Sequence, residues 1–191
     1  MILFSISTIY SLIFFHFQKY VPKIRTINSL LNATLLTSYS LILYYKHGTL
    51  ILKTNDIALN DILTGYFLYD AVTGFFLDRQ QFNLITGLAH HVIYITLLRY
   101  LRINELSHLI YPFLPFEAPT MLMDMYRLHK SPLIDISFGV TFLMTRILYN
   151  THLVYTFFKI SPYYGLIVLA MLCVHISWFK RWLERRFLPE N

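Results

Sequence analysis

The sequence predicts an all-α fold, a polytopic bundle of membrane-spanning helices. Three observations predict it. Of the 191 residues, 56% are hydrophobic and 14% charged, more apolar surface than one soluble core can hide. The apolar residues come in runs of about 20, long enough as helices to cross a hydrocarbon core of about 30 Å. The connections between runs are too short to hold a soluble domain, so any chemistry must lie within or beside the membrane.

In chain order the runs are Ile2 to Phe17, Ile27 to Tyr45, Ile57 to Leu77, Phe82 to Leu101, Glu105 to Tyr126, Leu133 to Phe158 and Tyr163 to Leu183. They predict seven transmembrane helices. The first reads as a retained anchor with its N-terminus outside: no charge precedes it, no small-residue cleavage site follows, and Lys19, Lys23 and Arg25 flank its far end. Residues 1–26 are thus an N-terminal helix and basic loop, and residues 27–191 a six-helix membrane domain.

Basic residues set the orientation. Lys19, Lys23, Arg25, Arg79, Arg127, Lys130, Lys180, Arg181, Arg185 and Arg186 fall on one side, against Lys46, Lys53, Arg99, Arg102 and Lys159 on the other. Ten against five predicts a cytosolic C-terminus. The net charge of +6 is read as topology and attraction to anionic lipid. Basic residues spread over several loops make no nucleic-acid groove, so no nucleic-acid partner is expected. Cys173, the one cysteine, lies in the last run, which excludes a disulfide framework and a thiolate metal site.

Ionisable residues recur near the middle of five runs. Asp70 lies seven residues before Leu77 and His90 eight after Phe82, level across a helical hairpin. His91, Glu117, Arg146 and His175 take comparable depths. Each such residue costs about 2.5–3.5 kcal/mol at a helix centre, so the group is expected to converge on a polar-lined interior pocket. The fifth run carries Pro112, Pro115 and Pro119, which remove backbone donors and predict a kink or unwinding around Glu117.

Each residue also has a plain structural reading. The histidines can hydrogen-bond across a helix interface, Asp70 and Arg146 can neutralise each other, and Asp61, Asp78, Asp124 and His152 lie near helix ends where water solvates them. No His-x-x-x-His spacing exists, so a helix-face metal chelate is not expected; a haem held by His91 and His175 is a remote reading.

Four pieces taken in order give the chain a resemblance to the TLC domain family, which includes ceramide synthases and translocating-chain-associated membrane proteins. They are Gly65-Tyr66-Phe67-Leu68-Tyr69-Asp70, His90-His91, Phe116-Glu117-Ala118-Pro119-Thr120 and Trp178-Phe179-Lys180-Arg181, with Arg25, Asn28 and Arg146 as further polar positions. The resemblance implies two three-helix units around a pocket for a long acyl chain, and an endoplasmic-reticulum or related membrane in a eukaryotic cell. The His-Asp-x-x-Asp element of ceramide synthases is missing from the stretch Leu114 to Met121, which points to the smaller TLC-domain-containing branch.

Two functions follow as expectations. One is lipid acylation or acyl-chain homeostasis, with acyl-CoA as co-substrate and no bound cofactor: a histidine, His91 in preference to His90, attacks an acyl thioester, Asp70 orients the ring, Glu117 takes a proton, and Arg146 and His175 bind substrate. Neighbouring residues project about 100° apart on a helix, so one histidine reacts and the other braces the interface. The alternative is a non-enzymatic protein that binds lipid or escorts membrane cargo. Membrane lipids and long-chain acyl-CoA are the expected partners, and homo-oligomerisation is compatible with both.

Overall fold

The computed structural model describes residues 21–50, 57–77 and 88–188, and within them the chain is all-helical, without strands. The helices are α1 (Val21–His47), α2 (Ile57–Leu77), α3 (Ala89–Ile103), α4 (Glu117–Leu128), α5 (Pro132–Phe142), α6 (Asn150–Ile160) and α7 (Pro162–Phe187). A 3₁₀ segment, Ser107–Phe116, leads into α4, and a π-helical segment, Leu143–Tyr149, joins α5 to α6. The expected helix from Ile2 to Phe17 lies outside the described residues.

The chain divides into two compact units, Met1–Asn32 with Tyr39–Pro112 and Ala33–Ser38 with Phe113–Asn191. In the first, polar stripes on α1 and α2 meet in antiparallel order. Arg25 binds Asp70, Asn28 donates to the Tyr69 hydroxyl at 2.9 Å, and the Tyr66 hydroxyl donates to Ser29 at 3.1 Å. Residues three and four apart share a helix face, so each stripe is one side of its helix. α2 also packs on α3, where Arg102 grips Asp61 through two nitrogens at 2.8 and 3.1 Å. Asn60, fully buried beside that grip, donates to the Leu98 carbonyl and to Ser107. α1 ends at Gly48, whose φ of +67° permits the left-handed cap and whose amide closes on the Tyr44 carbonyl at 2.7 Å.

In the second unit α4 packs on α5 and α6 on α7. Pro132 and Pro162 open α5 and α7 at a position where a missing N–H costs nothing. Two glycines allow close approach: a Cβ on Gly139 would collide with the Trp182 indole, and one on Gly165 with the Phe158 ring.

Among the described residues, two helices are long and apolar enough to cross a membrane, the continuous Pro132–Ile160 and Pro162–Phe187. This is narrower than the seven spans the sequence predicts. Ionisable and amide residues dilute α1 and α2, although each is long enough. The fifth run differs in kind: its three-proline half is 3₁₀ helix, and regular α-helix starts at Glu117. Residues 21–26 are already helical, ahead of the expected Ile27, so Lys23 and Arg25 belong to a helix and not to a basic loop.

Polar side chains are buried and large apolar ones exposed. Asn60, Asp70, Thr73, His91, Ser107, Asp124, Asn150 and His175 are buried, whereas Leu35, Leu41, Phe76, Ile93, Leu133, Leu148 and Leu166 are exposed. Asp124, expected to be solvated, is fully buried and paired with Arg127 at 3.0 Å.

Candidate functional site

In the first unit one carboxylate gathers two cations or donors from two other helices. Asp70 Oδ1 receives Arg25 Nε at 2.8 Å and Oδ2 receives Arg25 Nη2 at 3.1 Å, the two-pronged geometry that a planar guanidinium forms with a carboxylate. Oδ2 also lies 3.0 Å from His91 Nε2. All three side chains are largely buried.

The geometry fixes the roles of the imidazole nitrogens. A carboxylate only accepts, so His91 meets Asp70 with a proton on Nε2, and in the neutral form of the ring the lone pair is on Nδ1. The ring stands edge-on to Phe67 at 5.6 Å. His90 packs 4.4 Å from the Tyr94 ring centroid and edge-on to Phe67 at 6.3 Å. The depth count puts His90 level with Asp70, but the structure places His91 Nε2 on the carboxylate, because side-chain direction around α3, and not depth alone, decides which neighbour reaches Asp70.

In the second unit Arg146, on the π-helical segment, donates from Nε and Nη2 to the Phe116 carbonyl at 3.0 and 2.8 Å, and from Nη2 to Thr120 Oγ1 at 2.8 Å. That carbonyl sits at the junction of 3₁₀ and α geometry, where Pro119 brings no N–H. The guanidinium also lies over the Phe142 ring at 5.4 Å. Glu117, the first residue of α4, is half-buried.

His175 is enclosed by Phe116 at 5.3 Å, Phe142 at 5.9 Å and Trp178 at 5.9 Å, and its Nδ1 meets the Asn150 amide nitrogen at 3.2 Å. With that amide donating, neutral His175 keeps its proton on Nε2.

The structure thus brings Asp70 and His91 together in one unit, and Arg146 and His175 around Phe116 in the other. Sequence reasoning missed Arg25 as a member of the first group. The signal was present as the helical spacing of Arg25, Asn28 and Ser29, but the charges of Lys23 and Arg25 read as a loop. Among the described residues no cluster of metal-ligating side chains occurs. Comparison with known proteins finds no family model, no curated protein and no solved structure that matches the chain.

Proposed function

We propose that the chain is a multi-pass membrane protein of the TLC-domain type, with a cytosolic C-terminus, that transfers acyl groups from acyl-CoA to a membrane-lipid acceptor. Support for insertion comes from two long apolar helices, from exposed apolar side chains on the remaining helices, and from ionisable residues that are paired where they are buried. Pairing lowers the cost of carrying Asp61 and Asp70 into lipid, so α2 is a span despite them.

The observation that carries the activity is the 3.0 Å contact of Asp70 with His91 Nε2. In the reaction, His91 Nδ1 attacks the thioester carbonyl carbon, the N–C bond forms, the C–S bond breaks and the thiolate of CoA leaves. A hydroxyl or amine of the acceptor lipid then attacks the acyl-imidazole and its proton ends on the thiolate, leaving free CoA thiol, acylated lipid and neutral His91. Asp70 holds the ring and stabilises it while it carries positive charge; Arg25 holds Asp70. Arg146 and His175 keep the proline-broken α4 junction in shape and take no part in bond making. The test is radiolabelled acyl-CoA with purified protein in mixed lipid: acylated lipid is expected from wild type and none from His91→Ala.

One observation favours a second reading, a non-enzymatic lipid-binding protein. The guanidinium of Arg25 already occupies both Asp70 oxygens, which offsets the charge that would activate His91. On that reading lipid co-purifies and function survives loss of His91.

A further inference from the structure

The last turns of α7 carry a basic surface that acyl transfer does not use. Lys180, Arg181, Arg185 and Arg186 are exposed there, with Glu184 the one acid among residues 180–187 and 3.7 Å from Lys180. Arg127, His129 and Lys130 at the α4–α5 connection are exposed as well, although Arg127 also serves buried Asp124. Asp135 ties the two stretches to one end of the second unit: it accepts from Trp182 Nε1 at 3.0 Å and lies 3.5 Å from Arg186 Nε. Trp182 is held firmly, stacked on Phe179 at 5.6 Å and closing over Gly139. Between the basic residues, Leu128, Leu133, Leu183, Phe187 and Leu188 are exposed.

Length places this end at the membrane surface. Residues 162–179 of α7 rise about 27 Å, close to a hydrocarbon core of about 30 Å, so α7 emerges into the headgroup layer at Lys180. Cations that converge from two elements beside exposed apolar side chains match an anionic headgroup layer above its acyl boundary. We infer that this end of the second unit binds anionic phospholipid headgroups, with Arg181, Arg185 and Lys130 on the lipid phosphates and carboxylates and Leu133, Phe187 and Leu188 at the acyl boundary. The inference rests on membrane insertion and is independent of acyl transfer.

The test uses the full chain in nanodiscs of phosphatidylcholine with and without phosphatidylserine, reading retained lipid by native mass spectrometry. Phosphatidylserine is expected to stay bound where phosphatidylcholine is lost. Arg181→Gln with Arg185→Gln should cut its retention roughly thirty-fold, two charges at about 1 kcal/mol each. Arg181→Lys with Arg185→Lys should keep most of it, and Lys130→Gln should cut it further. Equal retention of the two lipids, or phosphatidylserine retention untouched by the glutamine pair, overturns the inference. A chain that does not enter nanodiscs overturns it together with the membrane reading, whereas absence of acyl transfer leaves it standing.

Discussion

His91 and Asp70 are 3.0 Å apart, and the carboxylate that receives the imidazole is gripped from its other side by Arg25. The triad joins α1, α2 and α3, so it both fastens the first unit and orients His91 through a carboxylate. Its two roles separate by substitution.

Loss of Asp70 leaves Arg25 buried without its carboxylate. Asp70→Leu should lower stability by about 3 kcal/mol, and Arg25→Leu by a similar amount. The double variant should recover most of the loss, because neither charge is then stranded. Thermal unfolding of the four proteins in one detergent checks the cycle; simple additivity would mean that the two side chains do not support each other.

Arg146 acts through its fork. Arg146→Lys keeps the charge but cannot place two N–H groups on the Phe116 carbonyl and one on Thr120, and should cost about 1–3 kcal/mol. If Arg146 instead bound substrate, the lysine variant would raise KM at unchanged unfolding temperature.

Gly139 must stay small. Gly139→Ala drives a methyl into the Trp182 ring and should destabilise the second unit by about 1–3 kcal/mol. Trp182→Leu in the same chain makes room and should return part of it, measured by unfolding of the single and double variants.

Insertion itself has a direct reading. Membranes from expressing cells, washed with alkaline carbonate, should retain the chain in the pellet, and addition of detergent should release it. Release by carbonate alone would contradict the membrane account.

The helices Pro132–Ile160 and Pro162–Phe187 were legible because their apolar runs carry few charges and Pro132 and Pro162 mark their starts. α2 was legible as a helix even with Asn60, Asp61 and Asp70 inside it. What the sequence hid is long-range or rotational. The partner that lets Arg25 sit inside α1 lies 45 residues away, so the charge read as a loop. His90 and His91 have nearly equal depth, and only the packing of α3 on α2 chooses between them. Three prolines announced a distortion before Glu117, but ten residues of 3₁₀ helix and the π-helical segment around Arg146 have no local marker. Depth along a helix is readable from counting; azimuth depends on neighbours.

The central claim is that His91 carries the acyl group, and peptide mass spectrometry after brief exposure to palmitoyl-CoA tests it most directly. The account predicts one palmitoyl addition on the peptide containing His91, kept in His90→Ala and lost in His91→Ala, with a weaker signal in Asp70→Asn. An adduct that persists in His91→Ala, or none in wild type while lipid co-purifies unchanged, would contradict it.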